Sequence, residues 1–159
     1  MSGLTIHEVD PDDDAAFSAW HHVYAVAERH EVGDVVASWQ LEEVRAAIQD
    51  DGSHTWSGAW AGVIHGETVA AGWLSTPLLD NLELAELAVH VHPSHRRRGF
   101  GSAMLSHVEA VSRDRGRRIL TGLASWPYAA GSDGTGVSGP LFRGCPQVAR
   151  LGDFQKRLS

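Results

Sequence analysis

Residues 84–105 bring together the side chains best suited to chemistry: Leu84-Ala-Glu86-Leu-Ala-Val89-His90-Val91-His92-Pro93-Ser-His95-Arg96-Arg97-Arg98-Gly99-Phe100-Gly101-Ser102-Ala-Met104-Leu105. An alternating apolar run passes into an arginine- and glycine-rich turn that opens a helical pattern. Amides at a helix start have no partner within the helix and point outward, so they bind phosphate. Gly99 and Gly101 let an anion approach the backbone, and Arg96, Arg97 and Arg98 supply forked donors and positive charge. The segment reads as a pyrophosphate cradle. It is not the phosphate loop of nucleotide hydrolases, because the required Lys is absent. Nor is it the dinucleotide fingerprint, whose third small residue is replaced by Met104.

Positioning such a cradle takes a sheet and a crossover helix, and the rest of the chain supplies both. Leu4–Val9 predicts a short strand. Asp10 and Pro11 predict a helix start, followed by Phe17, Trp20, Val23, Tyr24 and Ala27 on one face. Ser38 is expected to cap a second helix with Leu41, Val44, Ala47 and Ile48 inward. Strands follow at 54–64 and 68–74, joined by a turn at His65-Gly66-Glu67, and a third strand at 82–91. A helix over about 101–115 carries Met104, Leu105, Val108 and Val111. A strand follows from Ile119, then a Gly/Ser-rich flexible loop over 131–140, then one last strand within Gln147–Leu158. The order β-α-α-β-β-β-α-β makes a single α/β domain over 1–159, with the C-terminal strands incomplete.

The 159 residues carry a net charge of −7, split unevenly. Residues 1–95 hold 16 acidic residues against Arg29 and Arg45, whereas seven of the 13 basic residues fall between Arg96 and Arg118. A basic patch suits a phosphorylated ligand, and an acidic half suits a cationic one. One cysteine, Cys145, excludes an internal disulfide framework. No apolar run approaches the ~20 residues of a membrane span, and the N-terminus lacks a signal-peptide core, so a cytoplasmic, membrane-free protein is expected. His90, His92 and His95 lack an acid to complete a ligand set, so no metal is expected. The Trp residues, Trp39 among them, read as core. Arg113–Arg118 resemble a nucleic-acid patch, but overall acidity and the absence of a reading motif argue against that partner.

Arg96-x-x-Gly99-x-Gly101, preceded by Val89-His90-Val91-His92-Pro93 and set in this element order, resembles the GNAT family of N-acetyltransferases. The resemblance covers about residues 3–125. The charge layout and the stretch from Leu79 to Pro93 look most like the N-terminal half of actinobacterial tandem GNAT proteins. The resemblance implies a mixed, mostly antiparallel central sheet flanked by helices, and acetyl-CoA as cosubstrate. It also implies that the pantetheine arm pairs with Val89, His90 and Val91 like an added strand, with the pyrophosphate on the amides of Arg97, Arg98, Gly99, Phe100, Gly101 and Ser102. The activity implied is direct acetyl transfer to a primary amine of a small, cationic acceptor.

Such an amine must lose a proton before it attacks. Glu86 is the first candidate base: alternation sets it on one face of the strand with Ala88, His90 and His92, among small neighbours. His90 is second and Glu83 third. Tyr24 lines the acceptor side or the core. In the family, a late Leu-Tyr-x-x-x-Gly-Phe tyrosine protonates the departing thiolate. The matching segment here, Leu141-Phe142-Arg143-Gly144-Cys145, has Phe in that place, which leaves Tyr128 as a substitute donor. The Asn that many members carry after the following strand is missing. A second reading is therefore a non-catalytic CoA-binding module that supports a partner: a second GNAT domain or a second copy in a homodimer.

Overall fold

The computed structural model describes residues 3–32, 39–50, 52–124 and 152–157. The elements are β1 (Thr5–Glu8), α1 (Asp14–Val32), α2 (Leu41–Gln49), β2 (Thr55–Ile64), β3 (Glu67–Pro77), β4 (Leu84–Val91), α3 (Phe100–Asp114), β5 (Ile119–Ala124) and β6 (Gly152–Arg157). A single 3-10 turn, Pro93–His95, links β4 to the start of α3. The six strands lie side by side in chain order. Every neighbouring pair is antiparallel except β4 and β5, which α3 connects as a parallel crossover.

Local chemistry sets most of these boundaries. The β2–β3 hairpin turns at His65 and Gly66, both with positive φ (50° and 77°), the conformation that matches the strand twist. β3 runs to Pro77, three residues beyond the expected end. Two helix starts also differ from expectation. Asp10 and Pro11 form a turn: the Asp10 carboxylate accepts the Asp12 amide, while Asp13 caps α1 by accepting the Ala16 amide at 3.1 Å. α2 has Gln40 as its cap, and the Glu43 carboxylate accepts the Gln40 amide at 2.8 Å. Ser38, the expected cap, lies outside the described residues.

The sheet buries both faces. On one face Val9, Ala59, Ala61 and Ala71 meet Phe17, Trp20 and Val23 of α1 and Val44 of α2. The Trp20 indole N–H also donates to the Gly72 carbonyl at 3.1 Å, which fixes the height of α1 on the sheet. On the other face Trp60, Ala70, Leu74, Ala85, Leu87 and Leu120 meet Met104 and Val108 of α3. Met104 packs so close to Gly72 that a Cβ there would stand 2.6 Å from its Sδ, so this strand position must stay bare. α3 thus sits low on the sheet, and its N-terminus is held beside the end of β4.

Candidate functional site

β4 divides into two halves. Leu84, Ala85, Glu86 and Leu87 pair with Ile119–Gly122 of β5 on one side, and Glu86 and Leu87 pair with Ser75 and Leu74 of β3 on the other. Beyond Leu87↔Gly122 the parallel ladder stops, while pairing with β3 continues to Val91. β5 turns its remaining residues to β6, pairing Leu123 with Asp153 and Ala124 with Gly152. Ala88–Val91 therefore face an opening between two diverging strands.

Backbone parity identifies which groups face it. The His92 amide donates to the Val69 carbonyl at 2.8 Å, so even-numbered residues here point toward β3. The Glu83 carbonyl accepts the Ile119 amide at 2.8 Å, so odd-numbered residues point toward β5. Val89 and Val91, whose register partners on β3 are Gly72 and Ala70, consequently turn their amides and carbonyls away from β3 into the opening, where no described residue of β5 pairs with them. The His90 backbone points the other way, to β3, so of the three expected pantetheine-pairing residues only Val89 and Val91 can serve through their main chain. The Arg96 guanidinium reaches the Val91 carbonyl at 3.4 Å, which braces the arginine turn against the strand end.

The cradle residues follow directly. Arg97 has φ +64° and Gly99 has φ +83°, both left-handed, and Arg97, Arg98 and Gly99 are exposed. Left-handed geometry costs a residue with a Cβ about 1 kcal/mol, a strain the segment carries at Arg97 and escapes at Gly99. No side chain caps α3. Its first internal bond is from the Ala103 amide to the Gly99 carbonyl at 3.0 Å, which leaves the amides of Phe100, Gly101 and Ser102 ahead of it. The Phe100 ring is core, 3% exposed, so this residue offers only its amide and anchors the turn. Gly101 has ordinary helical backbone and does not need the left-handed freedom that Gly99 uses.

The α1 side of β4 carries a second set of groups. His90 Nε2 lies 3.5 Å from Glu28 Oε1, with both side chains under 20% exposed. The Tyr24 ring meets the His90 imidazole edge-on at 5.0 Å between centroids. The Tyr24 hydroxyl accepts the Trp39 amide at 3.1 Å, and His21 Nε2 lies 2.8 Å from the Trp39 carbonyl. These bonds hold the entry to α2 against α1. Burial raises the Tyr24 phenol above its ordinary pKa; the Trp39 hydrogen bond pulls it down, and Glu28 and Glu43 push it up. Trp39 itself is 59% exposed, not core as its residue type suggested.

Glu86 stands on this same face but is exposed, opposite Ser75 and Thr121 where the sheet is still closed. Leu84 and Ala88 flank it along the strand, but its cross-strand neighbours are polar and its exposure leaves the carboxylate in solvent, not enclosed as expected. Tyr128, Cys145 and the 131–140 loop lie outside the described residues. Glu28 was not singled out from sequence. Its signal was spacing: His21, Tyr24 and Glu28 fall at i, i+3 and i+7, one stripe of α1. Among the described residues no group of three His, Cys, Asp or Glu could hold a metal ion, and no helix is long and apolar enough to cross a membrane.

A six-stranded sheet whose central parallel pair splays beside an uncapped helix start is the architecture of an acyl-CoA-dependent acetyltransferase. The chain belongs to the acetyltransferase (GNAT) family, whose profile matches residues 16–126. Its fold is similar to a tandem GNAT protein from the clavulanic acid biosynthesis pathway, at TM-score 0.65 and 24% identity. That match covers 76% of this chain and 36% of the other, so the chain spans about a third of the tandem protein's length. The fold is similar too to an N-acetyltransferase from Thermoplasma acidophilum in complex with coenzyme A (TM-score 0.57, 11% identity, 76% of this chain and 79% of the other). A third similar structure is an aminoglycoside acetyltransferase from an uncultured soil metagenomic sample, in complex with sisomicin (TM-score 0.57, 14% identity, 77% and 78% coverage). A search of curated protein sequences returned no match.

Proposed function

We propose that the protein is an acetyl-CoA-dependent N-acetyltransferase that moves the acetyl group directly to a primary amine of a small cationic acceptor. The observation that carries this reading is the end of the β4–β5 ladder at Leu87↔Gly122, which leaves the β5-facing side of Val89 and Val91 without a strand partner among the described residues, just ahead of the open α3 start. The pantetheine arm adds to β4 there as a short strand, and its pyrophosphate rests on the amides from Arg97 to Ser102 with arginine charge around it. The arm cannot pass Leu87, where the ladder closes. The thioester therefore stops beside Val89, whose amide is placed to donate to the oxyanion.

Acetyl-CoA supplies the activated acyl group; the protein aligns it, excludes water and removes protons. The acceptor enters from the α1 side, since α3 closes the other face. The acidic residues of that half and the sisomicin complex of a similar fold support a cationic amine. Glu86 and His90 are the two titratable groups that β4 presents on that side with a claim to the ammonium proton. Tyr128 is proposed as the donor to the departing thiolate. The tandem relative supports a second GNAT domain as a partner; that and a homodimer are both open to sedimentation analysis of the purified chain.

Titration calorimetry with CoA, followed by a thiol-release assay with acetyl-CoA over a panel of primary amines, tests the proposal. Saturable binding and amine-dependent thiol release are expected. Binding without release would leave the chain as a CoA-binding module, the reading that Phe142 in the usual tyrosine place supports. No binding at all would remove the cradle.

A further inference from the structure

We infer that His90, held by Glu28, is the group that takes the ammonium proton, and that Glu86 is not. This inference rests on the acetyl-transfer reading above and concerns the working residues within it. Its first support is position along β4. Glu86 and His90 share one face but stand about 13 Å apart at ~3.3 Å per residue, so one acyl position cannot serve both. The thioester stops at Val89, the last slot-facing residue before the ladder closes, and His90 is its immediate neighbour. Glu86 lies three residues back, where β4 is bonded to Thr121 of β5, and its carboxylate is exposed.

The second support is the surroundings of His90. Glu28 Oε1 approaches Nε2 at 3.5 Å, and this carboxylate is 16% exposed, held under α1. A proton on Nε2 directed at Glu28 leaves Nδ1 as the basic nitrogen, and Nδ1 has no hydrogen-bond partner among the described residues. Nδ1 is also the ring nitrogen nearer the β4 backbone, on the strand along which the thioester lies in this reading. Across the ring stands the Tyr24 edge. The other groups packed around His90 are Ala88 and His92 along β4 and Ala71 across on β3, so Glu28 is the one anionic group paired with it among the described residues. A carboxylate that fixes an imidazole's tautomer and stabilises the imidazolium is a working general-base arrangement.

The step balances. The alkylammonium gives one proton to His90 Nδ1, and its nitrogen lone pair then forms the C–N bond to the thioester carbon. The oxyanion formed is held by the Val89 amide. Collapse breaks the C–S bond; the proposed thiolate donor protonates the departing sulfur and is reprotonated by the second nitrogen proton. The imidazolium returns its proton to solvent, so acetyl-CoA and the ammonium yield the amide, CoA thiol and one released proton. Glu28 is a positioning residue in this scheme.

Thiol release from acetyl-CoA is measured with 1,4-diaminobutane, with n-butylamine and with water alone as acceptors, alongside CoA affinity by calorimetry. His90→Ala is expected to lose about 10²-fold in kcat with CoA affinity within twofold, and added imidazole should restore part of that loss. Glu28→Gln should lower kcat about tenfold at unchanged CoA affinity, while Glu28→Asp recovers some of it. Imidazole rescue separates proton transfer from a merely structural tie between α1 and β4, which a soluble base cannot replace. Unchanged kcat in His90→Ala, a loss without rescue, or a loss in Glu86→Gln that matches it in size would overturn the assignment. CoA binding with no thiol release from the unaltered protein, or no CoA binding at all, would overturn the transfer reading and this step with it, whereas full activity in His90→Ala would overturn this step and leave the transfer reading standing.

Discussion

The N-termini of α2 and α3 make opposite use of the same physics. Each leaves amides that the helix cannot satisfy. At α2 the protein closes the end itself: Glu43 reaches back to the Gln40 amide at 2.8 Å. Asp13 does the same for α1. At α3 the cap position is Gly99 with φ +83°, no side chain accepts from the helix, and the nearest charges are three arginines. At the starts of α1 and α2 an acid accepts a backbone amide; at α3, the proposed phosphate site, the sequence supplies cations and withholds the cap. The difference teaches that an uncapped end gains meaning from its neighbours, here a strand edge left unpaired a few residues earlier.

The sharpest way to break this contrast is Gly99→Val. A β-branched side chain disfavours the left-handed geometry, and the loss of two charge-assisted amide contacts should weaken CoA binding about 10²-fold. Calorimetry checks it, and unchanged affinity would show that the α3 start is not the phosphate site. Next in size, Arg97→Gln with Arg98→Gln should cost about tenfold in CoA affinity and flatten its dependence on salt, as expected of exposed, screened charges. On the capped side, Asp13→Ala should lower stability by about 1 kcal/mol, read as a shift of the urea midpoint, with CoA affinity untouched. A fall in affinity there would mean that the two kinds of end are not independent.

The smallest effect belongs to Tyr24, near the closed α2 end. Its phenol is raised by burial, so folding favours the protonated form. That contribution is complete below the ordinary value near pH 10 and is lost as pH rises through the higher folded-state value. Alkaline stability of Tyr24→Phe should therefore fall less steeply above pH 10 than that of the unaltered protein, by a few tenths of a kcal/mol, in urea melts at fixed pH.

Much of the fold was legible because its signals are local. The period of Phe17, Trp20, Val23 and Ala27, the hairpin at His65-Gly66 and the stripe Met104–Val108 each report their element within a few residues. The cap at Asp13 was misplaced to Asp10 because four acids crowd one turn and any of them satisfies the same local rule. Trp39 misled for a related reason: residue type gives the average burial of an indole, and only its tie to Tyr24 and His21 turns this one outward.

The sequence by itself determined the elements, the arginine–glycine turn and the face that each β4 side chain takes, since dihedral preference and a period of two act between near neighbours. Only the tertiary structure decided where the β4–β5 ladder stops, which backbone groups are left open, and that Glu28, 62 residues earlier in the chain, meets His90. Those outcomes depend on how far two strands diverge and how high α1 sits on the sheet, which are set by packing against both faces at once and leave no mark in any short stretch of residues.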